Sequence, residues 1–260
     1  MNVTLITYTP DPEKVVAAAA KLCYSKASIT DLMDGLSDEK VASFLDKLSG
    51  LGHASPLEHV SFTFGIEGVS RSFLAQMTRH RIASFSVQSQ RYVDMGEADM
   101  VVPPAIAQDG EASEAFSQAV KSAKYAYDHL HHVLEDIHTY ELMLGDSFMT
   151  EQEARVKASK LANEDARFVL PEACQTRMIV TMNARELNNF FKLRCCIRAQ
   201  WEIRRVADEM LKLVYPSAPH LFANAGPGCV AEHKCTEGSM TCGFMAQVQN
   251  KYKLIKEENA

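Results

Sequence analysis

The sequence predicts an α+β fold: a mixed, mainly antiparallel sheet flanked by helices, with a long helical segment in the middle of the chain. Three observations carry this. Asn2–Tyr8, His59–Glu67 and Thr176–Met182 alternate apolar and polar residues, the two-residue period of half-buried strands. Segments with helical periodicity separate them. No GxGxxG follows a strand and no GxxxxGK[ST] is present, so neither a dinucleotide-binding doubly wound fold nor a P-loop is supported.

In chain order, Asn2–Tyr8 is the first strand, and Pro12-Glu13 opens an alanine-rich helix to about Leu22. Ser37-Asp38-Glu39 starts another helix, ending near Gly50–Gly52. After the His59–Glu67 strand, Ser70 is placed to cap a helix running to about Arg81. Phe85–Tyr92 reads as extended or looped. A long amphipathic helix is expected over Glu111–Leu144, with Phe116, Val120, Tyr127, Leu130, Leu134 and Ile137 near one face. A second, from Thr150 to about Asn163, is suited to pair with it. Thr176–Met182 is a strand, and Asn183, three residues before Glu186, caps a helix to about Arg194. Ala199–Tyr215 is a further helix. The division expected is one domain over 1–223 and a peripheral, loop-like tail over 224–260 rich in cysteine and glycine.

The 260 residues are enough for a sizeable core, and 47% hydrophobic with 23% charged is ordinary for a globular chain. No apolar run approaches the roughly 18 residues of a membrane span, and no secretory leader is visible in the first residues. A cytoplasmic location with no membrane partner is expected. Seven cysteines, an odd number, argue for free thiols over a disulfide framework. A net charge of −6 argues against a general nucleic-acid binder.

That net charge hides two basic islands. Val69–Val93 has no Asp or Glu but carries Arg71, Arg79, His80, Arg81 and Arg91. Arg185–Arg205 holds Arg185, Lys192, Arg194, Arg198, Arg204 and Arg205 against Glu186 and Glu202. Arginine forks suit phosphates and uracil-type carbonyls, so small anionic ligands are expected. Arg79-His80-Arg81 alone also reads as a solvated basic helix end. The run from Ser84 to Tyr92, full of neutral donors and acceptors, has the composition of a ligand-lining loop.

Arg79-His80-Arg81, seven residues, then Ser89 with Gln90-Arg91-Tyr92 resembles the signature of flavin-dependent thymidylate synthases. GHASPLEH (Gly52–His59), ARFVLP (Ala166–Pro171), MNARELNNFFKLR (Met182–Arg194) and AQWEIRRVA (Ala199–Ala207) resemble other family segments, in order, so the likeness spans roughly residues 1–215. The resemblance implies conversion of dUMP to dTMP, with methylene-tetrahydrofolate as carbon donor and NADPH-reduced FAD as hydride source. It implies FAD contacts from Ser55, Glu58, Arg79, His80, Arg81, Asn183, Arg185 and Asn189. Gln76, Arg79, Gln88, Ser89, Gln90, Arg91, Arg167 and Arg194 would hold dUMP, with His53 near the folate entrance. Arg194 would be the catalytic residue, stabilising negative charge in the pyrimidine so that C5 can attack, with no protein nucleophile. Ser89 is then a ligand contact. A homotetramer with shared active sites is implied. Val87 and Arg198 depart from the family pattern.

Two other functions fit parts of the sequence: a flavin reductase or oxidase on the same site, and a non-catalytic binder of anions or RNA. No metal site is expected. His53, Glu58 and His59 lack zincin spacing. His131, Glu135 and His138 read as a solvated helix face. Cys229, His233, Cys235 and Cys242 are irregularly spaced for zinc and read as free thiols. Cys195 and Cys196 read as buried thiols.

Overall fold

The computed structural model describes residues 1–259. The strands are β1 (Asn2–Tyr8), β2 (Ser61–Ser70), β3 (Ala83–Val87) and β4 (Gln175–Asn183). The helices are α1 (Pro12–Leu22), α2 (Ile29–Asp34), α3 (Asp38–Leu51), α4 (Arg71–Met77), α5 (Pro104–Ala107), α6 (Gly110–Gly145), α7 (Glu151–Ala166), α8 (Ala184–Arg194), α9 (Trp201–Val214), α10 (Gly228–Ala231) and α11 (Met245–Glu258). The strands form a four-stranded antiparallel sheet in the order β1-β2-β4-β3, with an irregularity in β1 between Leu5 and Thr7. Packing distinguishes two compact units along the chain. The first is Met1–Glu67, Ala75–Ser86 and Met178–Ala260; the second is Gly68–Leu74 and Val87–Arg177.

In the first unit, alternation along β2 turns Phe62, Phe64 and Ile66 into the core, all at 0% exposure. The same period in β4 buries Met178, Val180 and Met182. α9 lays Ile203, Val206, Ala207, Met210, Leu211 and Val214 along one buried stripe, the 3.6-residue pattern of a core-facing helix. Phe222 meets Phe62 edge-on at 5.4 Å and Phe191 at 6.0 Å, joining strand, helix and the segment after α9. His220 is tied to α1, its Nδ1 lying 2.9 Å from the Glu13 carboxylate. Ala184 N–H donates to the Val60 carbonyl, which fixes where α8 leaves the sheet.

In the second unit, α6 and α7 form an antiparallel pair. Buried Ala154, Ala158, Ala162 and Ala166 recur every fourth residue of α7, so the two backbones approach closely. α7 starts with a capping box between Thr150 and Glu153. The Tyr127 hydroxyl accepts from Met95 N–H at 3.0 Å and lies 2.9 Å from Asn163 Oδ1, so α6, α7 and the loop before α5 share one polar hub.

Several expectations need correction. α4 ends at Met77, not near Arg81, because Arg79 and His80 N–H bond back to Gln76 and Met77 in tight turns. His59 ends a 3-10 turn set up by Pro56 and does not begin β2. α2, capped by Ser28, was not anticipated. Of the apolar stripe expected on α6 only Tyr127 is buried; Leu130 and Ile137 are exposed. His131 is not solvated but packs on α7, 3.3 Å from Ser159 Oγ. The tail is neither loop-like nor peripheral: α11 buries Val248, Tyr252 and Ile255 at helical spacing. The Tyr252 hydroxyl reaches the Cys195 carbonyl at 3.0 Å and the Asp208 carboxylate. Lys256 donates to the Ala223 carbonyl at 2.7 Å, and burial lowers its amine pKa to about 8.

Tyr252→Phe keeps the ring and removes the hydroxyl. The expected cost is about 1–2 kcal/mol, since buried acceptors lose their donor. A urea midpoint equal to that of the parent chain would show that the tail bears no load.

Candidate active site

In the first unit, three side chains from two segments form a linear chain of hydrogen bonds. His80 follows α4, Glu186 lies in the first turn of α8, and Arg194 ends α8. His80 Nδ1 is 2.8 Å from Glu186 Oε1, and both side chains are buried. Arg194 Nε donates to His80 Nε2 at 3.0 Å, and its Nη2 donates to the Gln76 carbonyl at 3.4 Å. Phe190 closes one side, meeting the imidazole edge-on at 4.9 Å.

The donors fix the tautomer. Arginine has no lone pair to offer, so His80 Nε2 must accept. Nδ1 then carries the proton and donates it to Glu186. The imidazole is therefore neutral. Burial lowers its pKa from the ordinary 6.5 and Arg194 acts in the same direction, against the upward pull of the Glu186 hydrogen bond. Arg194 is itself partly buried, and that burial, with Arg79 nearby, lowers its pKa. A guanidinium nonetheless stays charged in water's pH range, so a cation is held in a defined plane.

α8 carries most of the other residues. Asn183 Oδ1 caps it, accepting from Glu186 N–H at 2.8 Å. Arg185 projects from the first turn and pairs with Glu58 of the Ser55–His59 turn; both are about half exposed. Asn189 donates weakly to Glu186, at 3.4 Å. Beside it lies a cavity of about 380 Å³, walled by Leu45, Leu57, His53, Asn189, Lys192 and His220. It brings His53 and Asn189 together. Ser55, Arg79 and Arg81 are exposed.

The second unit gathers another set. Arg91 Nη2 donates to Glu164 Oε2 at 2.7 Å, and Arg167 Nε donates to the Glu164 carbonyl at 3.0 Å. Each guanidinium lies over the ring of the next residue, Tyr92 at 5.8 Å and Phe168 at 5.9 Å. Gln88 N–H donates to the Arg177 carbonyl at 3.0 Å, and Ser89 Oγ accepts from Arg91 N–H at 3.2 Å. Gln90 is buried, its amide directed at Cys174 Sγ, so it braces the loop from within. Val87 is the last residue of β3. Back in the first unit, Arg198 pairs with Glu237 at 3.1 Å.

Residues not anticipated at the site are Glu186 as the imidazole's partner, Glu164 as the arginines' counter-ion, and Lys192, Asn188 and His220 at the cavity. Lys192 stands three residues after Asn189 on one helix face, a spacing visible in the sequence. Nothing in sequence points to Glu164, which is 73 positions from Arg91.

Because folding lowers the His80 pKa, the unfolded chain binds that proton more readily. The stability His80 contributes is intact above about pH 6.5 and is lost as pH falls toward the folded value. Urea midpoints measured at about pH 8 and about pH 5 should fall more steeply for the parent chain than for His80→Asn. Parallel declines would refute a buried neutral imidazole.

Residues 4–220 match the family described as "Thymidylate synthase complementing protein". The flavin-dependent thymidylate synthase of Clostridium tetani is 49% identical over 252 residues, covering 97% of each chain. That of Geobacter sulfurreducens is 46% identical, covering 97% of this chain and 98% of its own. The fold is shared with a crystal structure of the Helicobacter pylori flavin-dependent thymidylate synthase complexed with FAD and dUMP, at TM-score 0.58 and 24% identity over 87% of this chain and all of that one. With the family match running through most of its length and close to half its residues shared with named members, this chain belongs to the flavin-dependent thymidylate synthase family.

Proposed function

We propose that the chain converts dUMP to dTMP, using methylene-tetrahydrofolate as carbon donor and FAD reduced by NADPH. The observation that carries this is the Glu186–His80–Arg194 chain. Uracil C5 is a poor nucleophile until negative charge is stabilised in the ring. A cation whose plane is set in advance, in a partly desolvated place, does this without reorganising during the reaction. In this reading Arg194 acts on the pyrimidine carbonyl side and is the catalytic residue. His80 and Glu186 are positioning residues.

Arg91 and Arg167 take the nucleotide phosphate. Both are held by Glu164 in the second unit, and guanidinium forks match phosphate oxygens. Gln76, Gln88 and Ser89 add neutral contacts to the nucleotide. Flavin, when bound, supplies the hydride. Ser55, Glu58, Arg79, Arg81, Asn183, Arg185 and Asn189 would hold it. Their donor set fits a dinucleotide: exposed arginines for phosphates, amides for ring edges, and an apolar-walled cavity next to Asn189. His53, on the wall of that cavity, fits the folate side.

The active sites are shared within a homotetramer in this proposal. Its support is the apolar surface of α6, where Leu130, Val133, Ile137 and Leu144 are all exposed, more than a lone helix hairpin ordinarily shows to water. No helix among the described residues is long and apolar enough to cross a membrane. A reductase lacking methylene transfer would need no aligned guanidinium, and that disfavours the second reading.

The direct test is dTMP formation from dUMP, methylene-tetrahydrofolate, FAD and NADPH. Arg194→Ala should retain yellow flavin and lose turnover by at least about a hundredfold, the scale of one lost electrostatic donor. Normal turnover would remove the assigned role. Arg91→Ala should weaken dUMP binding by about tenfold or more, with flavin retained; unchanged calorimetric affinity would count against a phosphate contact.

A further inference from the structure

Four of the seven cysteines, Cys196, Cys229, Cys235 and Cys242, line one small pocket of the first unit, with about 20 Å³ of free space. They come from different places: just past the end of α8, within α10, from the loop after it, and just before α11. The other three thiols all act electrostatically on Cys229. Cys23 is exposed and Cys174 and Cys195 are buried elsewhere.

The chain around this pocket has no apolar reason to hold its shape. From residue 230 to residue 247 no side chain is buried. Yet the path is sharply defined. His233, Gly238 and Gly243 have left-handed φ angles of 55°, 55° and 77°, and glycine lets the chain adopt them without strain at the latter two. Gly228 lies so near Thr236 that a Cβ there would meet its hydroxyl at 2.3 Å. That close approach draws Cys229 and Cys235, the neighbours of these two residues, together. Segments too poor in apolar residues to build a core are commonly stapled by a disulfide or a metal. Four sulfurs are the full ligand set of a closed tetrahedral site.

We propose that Cys196, Cys229, Cys235 and Cys242 bind one soft divalent cation of the zinc class as a tetrathiolate site, fastening the tail to the end of α8. Each thiol releases its proton and ligates as thiolate. As the side chains stand, no three or more His, Cys, Asp or Glu among the described residues are grouped closely enough to hold a metal ion. Binding therefore contracts the pocket, by side-chain rotation, to sulfur–metal distances of about 2.3 Å. Arg198, on the same pocket wall, is paired with Glu237, so the charge of four thiolates is met chiefly by the cation itself. His233, a zinc candidate by sequence, is exposed and does not line the pocket. The site is independent of the reaction proposed above.

The test uses the full chain, purified in reducing buffer and stripped of metal with a chelator under anaerobic conditions. Titration with cobalt(II) should saturate at about one equivalent, with intense sulfur-to-cobalt absorption and the visible bands of a tetrahedral site. Zinc should displace the cobalt. The double variant Cys235→Ser with Cys242→Ser should weaken binding by at least about tenfold, while Cys23→Ser leaves it unchanged. Parent chain that remains folded by circular dichroism but shows no thiolate–cobalt band would overturn the proposal. So would equal loss in Cys23→Ser, or recovery of a brown protein with acid-labile sulfide, which would make the occupant an iron–sulfur cluster.

Discussion

A guanidinium on a three-carbon stem has many orientations in water, and this molecule removes nearly all of them with a single neutral nitrogen. His80 Nε2 accepts from Arg194 Nε only because Nδ1 keeps its proton, and Nδ1 keeps it because Glu186 receives it. The arrangement depends on the fold. Glu186 must be on the first turn of α8 and Arg194 on its last, so that one helix supplies both ends of the chain of bonds. The imidazole between them must come from another segment, in the turn after α4. Buried Leu187 and Phe191 anchor α8 in the core, and Phe190, on the same face as Glu186 and Arg194, packs on the imidazole. Packing and electrostatics thus act on the same short helix.

Much of the scaffold was legible because it follows local rules. β1 and α1 have the limits expected from alternation and from the Pro12-Glu13 start. Asn183 caps where its spacing to Glu186 implied, and the helix expected from Thr150 begins there. Local turns account for the end of α4 and for His59, but for the α6 stripe and the tail a local pattern could not name the distant partners. The α6 stripe has the right period, but a period cannot say what covers it. The tail reads as loop by its glycines, yet Val248, Tyr252 and Ile255 find a hydrophobic seat against distant parts of the chain.

The same limit applied to the site. Residue types and their segments were visible: the basic islands, the polar loop after them, the arginine at the end of α8. Pairing was not. By its spacing Glu186 belongs to a cap motif; in the fold its carboxylate points inward to an imidazole 106 positions away. Arg198, left without a role, is held by Glu237 of the tail. Hydrogen bonds between residues so far apart leave no periodicity to detect, and only assembly of the fold reveals them.

Glu164 gives the arginine pair a further property. Its side chain and its own carbonyl accept from Arg91 and Arg167, so on the proposed function a phosphate taken by this pair would enter by exchange with the carboxylate. Ligands bearing one weak negative group gain little from such a trade, whereas a dianion outcompetes the carboxylate. On that reading the residue would work as a threshold: every anion must displace Glu164, which a dianionic phosphate does far better than a weakly charged group, so the pair would favour phosphate over lesser anions.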